Sequence, residues 1–501
     1  MKYTSSRGKC SSITAAEAIK MGISPDGGLF VPDFVPKISE LDWRKMAGQT
    51  YQERACEILA YYLQDFSSEE IKNCVNGAYN AQSFDDERIA PLVRIAEGVY
   101  IQELWHGPTS AFKDMALQLL PYLLVASAEK TGEEDEIVIL VATSGDTGKA
   151  ALEGFKDIDR VKIMVFYPQD GVSEVQKRQM ITQTGNNVFV AAVEGNFDDA
   201  QNGVKKIFAD QSFIATLAQH RMKMSSANSI NWGRLLPQIV YYVSAYIDLQ
   251  VSGQLKSGEA INVAVPTGNF GNILAAYYAG QMGVPINRLI CASNANNVLT
   301  EFIRTGAYDR NRTFAKTLSP SMDILISSNL ERLLYEITGH DATAISDWME
   351  ELKTEGKYQV DHTTIDKIGN LFWADFSSDE ETQQTIRNTW EEDRYLLDTH
   401  TAVARNVYDK YVMNTGDKTP TIIASTASPF KFGKSVAEAI LKPELIEGHD
   451  EFAILKILSE YTGITIPAGI RDLDQRTVLH NTVSAKEAMG ETVLEYLHLH
   501  R

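Results

Sequence analysis

Several things are missing from this chain, and each absence removes a class of function. No apolar run approaches the ~18 residues of a membrane span, and the first ten residues, Met1 to Cys10, lack the apolar core of a secretory signal. The four cysteines, Cys10, Cys56, Cys74 and Cys291, are far apart with no C-x-x-C pair, so neither a disulfide framework nor a zinc site is indicated. Nine histidines are scattered without H-E-x-x-H spacing, and His498 and His500 read as a frayed tail, so no metal is assigned. Positive charge is in short supply: Lys and Arg number 47 against 66 Asp and Glu, a formal net charge of -19, which argues against nucleic acid as a partner. These absences predict a cytoplasmic protein that binds neither membrane nor nucleic acid. An anionic ligand then has to be held by a local cluster of donors.

What is present is an ordinary globular composition, 44% hydrophobic and 23% charged over 501 residues, long enough for about two to four domains. Residues 1–95 read as a mainly helical region: Ala15–Met21 and Ala55–Leu63 have helical spacing, and Ser24 to Pro32 is a turn leading into a short extended piece. From Tyr100 onward strands alternate with helices, the pattern of open, mostly parallel sheets flanked by helices in an α/β protein. Ile137–Ala142, Val161–Tyr167 and Asn187–Val193 are buried-strand runs of a small α/β domain over 131–255. Ile261–Val265, Leu289–Ser293 and the run from Pro420 belong to a larger one built from 96–130 and 256–501. The charged, helix-rich stretch at 330–415 reads as an elaboration without a catalytic motif.

Candidate chemistry begins at His106-Gly-Pro-Thr-Ser-Ala-Phe-Lys-Asp114. Thr109 or Ser110 offers a cap to a helix starting near Ala111, which puts Lys113 in its first turn among apolar neighbours. Dipole and burial both lower a lysine's pKa, and an easily neutral amine forms imines with carbonyls of a substrate or of pyridoxal phosphate; the alternative is a snorkelling surface lysine. Three polar loops follow the carboxyl ends of strands, where ligands of open parallel sheets collect. Gly268-Asn-Phe-Gly-Asn272 offers backbone N–H groups at a helix start, suited to a phosphate without any cation; a helix-opening loop with no ligand is the alternative. Thr143-Ser-Gly-Asp-Thr-Gly148 lacks the spacing of a nucleotide P-loop and reads as donors for a small carboxylate or an aromatic hydroxyl. The third, at residues 425–428, ends the run from Pro420. Separately, Asn228-Ser-Ile-Asn-Trp-Gly-Arg234 is either a polar turn or a clamp for a second phosphate or carboxylate. A dry lysine beside a phosphate cup suggests pyridoxal phosphate.

With Ser24-Pro-Asp-Gly-Gly-Leu-Phe-Val-Pro32, Ser225-Ser-Ala-Asn-Ser-Ile-Asn-Trp-Gly-Arg234, Ser319-Pro-Ser-Met-Asp-Ile324 and Ser425-Thr-Ala-Ser-Pro429 added to these motifs in order, the chain resembles the threonine synthase family, in its longer form, over nearly its whole length. The resemblance implies a fold-type II pyridoxal 5'-phosphate enzyme of the tryptophan-synthase-β kind, acting on O-phospho-L-homoserine as monomer or homodimer and releasing L-threonine and phosphate. It implies that Lys113 joins the cofactor and shuttles protons, that Phe112 lies against the ring, that Asp146 stands near the 3-hydroxyl, that Gly268, Asn269, Phe270, Gly271 and Asn272 cradle the cofactor phosphate, and that Thr426 meets the pyridine nitrogen. Ser144 and Thr147 are implied to hold the substrate carboxylate, and Asn228, Ser229 and Arg234 its phosphate. One departure is Ser428, where many relatives carry histidine. The rivals are a dehydratase or cysteine-synthase-like enzyme on the same scaffold, which needs no clamp at Arg234, and a non-catalytic relative.

Overall fold

The computed structural model describes residues 1–143, 145–169 and 172–499. Two open sheets organise the chain. The larger has strand order Phe372–Phe376, Ile286–Ser293, Ile261–Pro266, Thr421–Ser425, Val99–Glu103, Leu92–Ala96; all neighbours are parallel except the last hairpin. The smaller is wholly parallel, in the order Thr482–Ala485, Val188–Glu194, Val161–Pro168, Glu136–Ala142, Met222–Ser225. Helices cover both faces, so the central strands read as unbroken apolar runs: every residue of Ile261–Pro266 is buried. The N-terminal region is helical because its starts are written locally. Thr14 with Glu17, Thr50 with Glu53 and Ser67 with Glu70 each close a reciprocal capping box.

The expected pair of mostly parallel sheets is present, but the chain divides between them differently. Thr482–Ala485 pairs with Val188–Glu194, and Met489, Val493 and Leu494 of the following helix pack with Ala200, Val204 and Ile207, so the end of the 256–501 segment returns to the smaller sheet. The helix Trp232–Val251, placed by sequence within 131–255, packs on Gly271–Met282 of the larger unit and on Tyr51–Tyr62 of the N-terminal region. A boundary at 95/96 cuts the hairpin Leu92–Ala96/Val99–Glu103. The 330–415 stretch is more than an elaboration: Phe372–Phe376 is the edge strand of the larger sheet, and the helix Thr399–Thr415 lies across its strands. Short edge strands carry little periodic signal, which is why sequence spacing passes over them.

Candidate active site

The carboxyl ends of Glu136–Ala142, Ile261–Pro266 and Thr421–Ser425 open toward one another, and the lysine turn lies between them. That turn is built differently from a capped helix. Ser110 is left-handed (φ 58°), Ala111 bridges to Ala427, and the Phe112 N–H donates to the Thr426 carbonyl at 2.8 Å, so 110–112 is tied to 426–428 and helix starts only at Asp114. Capping is inverted: the Thr109 N–H and hydroxyl both donate to the Asp114 carboxyl, at 2.8 Å each. Burial pushes Asp114 up to about 6 despite those bonds. Lys113 therefore stands at the threshold of a single helical turn. Burial lowers its pKa; the nearby Lys431 and Arg234 cations act in the same direction, and Asp146 opposes them.

Asp146 is the hub on this side. Its Oδ2 lies 3.4 Å from Lys113 Nζ and accepts from Ser321 Oγ at 2.9 Å, while Oδ1 accepts from Gln176 Nε2 at 2.9 Å and lies 3.2 Å from Lys431 Nζ. Burial raises its pKa, but Lys431, Lys113 and the Gln176 amide outweigh burial and hold the carboxylate well below its ordinary range. Gly145 precedes it with φ 138°, and a Cβ there would meet the Gln176 side chain at 2.5 Å. Ser321 is positioned in turn by His400, whose Nε2 accepts the Ser321 N–H at 3.1 Å while Nδ1 faces Asp398 at 3.1 Å; two residues on, Asp323 Oδ1 accepts from Asn294, Asn296 and Thr317. The His400 geometry puts the imidazole proton on Nδ1.

The opposite wall is left unpaired. In Gly268-Asn-Phe-Gly-Asn272, Phe270 is left-handed (φ 64°) and its buried ring packs 5.8 Å from Phe372. The N–H groups of residues 268–273 find no acceptor among the described residues. A Cβ at Gly268 would sit 2.8 Å from the Ser321 carbonyl, so glycine permits the two loops to touch. Asn329 ties this loop to its neighbour, donating to Asn269 O at 3.1 Å and Ser229 O at 3.2 Å. Arg234 is buried, donates only to the Ala227 carbonyl at 3.0 Å, leaves Nε without a partner, and has no carboxylate beside it among the described residues. Burial pushes it down to about 10.

Of the residues singled out in the sequence, Lys113, Phe112, Asp146, Thr426, Arg234 and the 268–272 loop are brought together. Thr147 is half-buried at the helix start, Ser229 is half-buried beside Asn329, and Asn228 and Asn269 are exposed side chains whose carbonyls hold the turns. Ser144 lies outside the described residues. Ser428 is a helix cap: fully buried, its Oγ accepts the Phe430 N–H at 3.3 Å. Sequence reasoning missed Gln176, Ser321, Lys431 and His400, which come from four separate segments. The polar residues Arg234, Gln238, Tyr241 and Tyr242, spaced i, i+4, i+7, i+8 in the apolar first half of their helix, were the legible signal of the second wall.

A family model described as "Pyridoxal-phosphate dependent enzyme" matches residues 84–365, between models for "Threonine synthase N terminus" over 2–79 and "Threonine synthase, C-terminal" over 401–456. The chain is 42% identical over 451 residues to human threonine synthase-like 1, covering 88% of this chain but 60% of that relative's length. It is 38% identical to the threonine synthase of Pseudomonas aeruginosa, covering 88% of this chain and 90% of that one. The crystal structure of pyridoxal-phosphate-bound threonine synthase from Brucella melitensis superposes with a TM-score of 0.87 at 36% identity, covering 99% of this chain and 98% of that one.

Proposed function

Because the chain belongs to the threonine synthase family of pyridoxal-phosphate-dependent enzymes, we propose that it converts O-phospho-L-homoserine and water to L-threonine and phosphate. The observation that carries this reading is Arg234, a buried guanidinium with no carboxylate partner among the described residues, close enough to Lys113 to lower its pKa. A cation left in that state calls for an anion from outside the chain. The 268–272 cup fits the cofactor phosphate by its free N–H groups, the buried and unpartnered Asn272 Nδ2, and the close backbone approach at Gly268. Two anion sites beside one dry lysine match a phosphorylated cofactor together with a phosphorylated substrate.

When bound, the cofactor supplies the electron sink for charge developing at the substrate Cα. The remaining chemistry falls to the chain. Lys113 would hold the cofactor covalently, take protons from Cα and Cβ and return them; its lowered pKa suits both directions. Asp146, kept ionised by Lys431, would meet the cofactor's 3-hydroxyl, Phe112 would flank its ring and Thr426 would meet its nitrogen. Thr147 and Ser144 orient the substrate carboxylate, and Ser229 and Arg234 hold the phosphate as the Cγ–O bond breaks. Water then adds its oxygen to Cβ, and Cγ ends as a methyl group. The four thiols are unpaired, which suits action in the cytoplasm. Incubating the reconstituted protein with phosphohomoserine should release phosphate and threonine in equal amounts; ammonia and a 2-oxo acid without phosphate would replace this reading with the dehydratase one.

A further inference from the structure

Asn272 lies in the first turn of the helix Gly271–Met282, at the end where the backbone N–H groups are free. Its Oδ1 accepts from Tyr241 Oη at 2.7 Å and from Tyr242 Oη at 2.5 Å, both from the helix Trp232–Val251. Its Nδ2 is buried without a partner among the described residues. The two hydroxyls fix which way the amide points. With the amide reversed, Nδ2 would donate to both tyrosine oxygens and the Tyr242 hydroxyl proton would lose its recorded acceptor; Tyr241 alone has a second, Gln238 Oε1 at 3.2 Å. Both phenols are fully buried, which raises their pKa well above the ordinary value, so both remain donors.

The same helix carries Arg234 two turns earlier, and Gln238 Nε2 donates to the Arg234 carbonyl at 2.8 Å. One helix face thus connects the guanidinium of the substrate side to the amide of the cofactor side. We propose that Tyr241 and Tyr242 are positioning residues: by holding Asn272 Oδ1 they aim Nδ2 at the phosphate of the cofactor and set the preference for a phosphorylated over an unphosphorylated pyridoxal. This rests on the assignment of the 268–272 loop to that phosphate.

The test compares dissociation constants of the cofactor-free protein for pyridoxal phosphate and for pyridoxal, which keeps every contact except the phosphate. Tyr242→Phe, Tyr241→Phe and the double variant keep both rings; Asn272→Ala removes the amide. The ratio of the two constants is expected to fall by about tenfold or more in Asn272→Ala and in the double tyrosine variant, with no further fall when the changes are combined. Tyr242→Phe is expected to exceed Tyr241→Phe, whose hydroxyl is shared with Gln238. If either single variant melts like the parent, it suffices should the double variant fail to fold. A ratio lowered by Asn272→Ala but untouched by the tyrosine changes overturns the positioning role alone. Equal losses for both ligands in the tyrosine variants reduce them to packing residues and also overturn it. A ratio unchanged in Asn272→Ala overturns the loop's assignment to the cofactor phosphate, while phosphate release from phosphohomoserine tests the reaction separately.

Discussion

The two walls of the site treat charge in opposite ways. On the lysine side, one carboxylate, Asp146, meets two ammonium groups, a hydroxyl and an amide, so its charge is settled within the chain. On the arginine side, a guanidinium held by the Ala227 carbonyl has no carboxylate beside it, and the Nδ2 of Asn272 and a row of backbone N–H groups have no acceptor among the described residues. Arg332 shows that the second condition is not forced on a buried arginine by this fold. Fully buried, it donates to the Phe30 and Ile230 carbonyls and to Asn329 Oδ1, and so closes its own account with the chain. A settled wall fixes groups in place, and an unsettled one waits for a ligand.

Breaking the settled wall should cost the most. Lys113→Ala is expected to abolish phosphate release by a factor of about a thousand or more, and to remove the visible absorbance of the bound cofactor, because no other amine occupies that place. Lys431 is the nearest rival, but it is wholly buried and committed to the Thr109 carbonyl and Asp146. Recovery of activity in Lys113→Ala without added amine would move the nucleophile to Lys431. Asp146→Asn leaves two buried cations facing each other, and unfolding by urea should report a loss of about 3–5 kcal/mol. Adding Lys431→Met should return part of that loss, since one of the stranded charges goes with it; strictly additive losses would show that the three groups are not a unit.

The unsettled wall should answer in the other direction. Replacing Arg234 by Met removes a buried charge that the chain does not compensate, so the cofactor-free protein should be no less stable, or more stable by about 1–2 kcal/mol. The KM for phosphohomoserine should rise by about a hundredfold, with a smaller effect on kcat. Thermal melting and steady-state phosphate release together check this. A destabilised Arg234→Met that keeps its KM would make this arginine a second Arg332, a clamp on its own backbone.

How much of this was legible in the residues follows from range. Caps such as Thr14 with Glu17, buried runs such as Ile261–Pro266, and the glycine-opened helix at Gly271 are settled within a few residues, and spacing alone discloses them. Resemblance then named Arg234 and Asp146 as site residues. Hidden from both was anything decided by which distant segments meet. The edge strand Phe372–Phe376, the return of Thr482–Ala485 to the smaller sheet, and the approach of Lys431 and Ser321 to Asp146 depend on pairings over 83, 291, 285 and 175 positions, read directly from the residue numbers. The expected cap on the lysine helix failed for the same reason, since the Thr426 carbonyl takes the N–H that a local helix start needs.

The smallest effect concerns pH and separates the walls without a substitution at either. Behind the lysine turn, His106 Nδ1 lies 2.6 Å from Asp85 and Nε2 2.8 Å from Glu103, and Tyr395 donates to the other Glu103 oxygen at 2.7 Å. Burial opposes the charged ring, but the two carboxylates prevail and raise His106 to about 9. A histidine raised in the folded state contributes stability that is complete below its unfolded pKa of about 6.5 and is lost as pH climbs through the folded value. Asp85 is half exposed, which screens the pair, so the loss is on the order of 1–2 kcal/mol. Stability measured by urea unfolding from pH 6 to pH 9.5 should therefore decline, and His106→Gln should flatten the decline by that amount. Arg234, at about 10, keeps its proton across most of that range, so affinity for inorganic phosphate at the arginine wall should fall no further than the titration of phosphate itself explains. A pH profile in which His106→Gln changes nothing would remove this histidine from the charges that stabilise the lysine side.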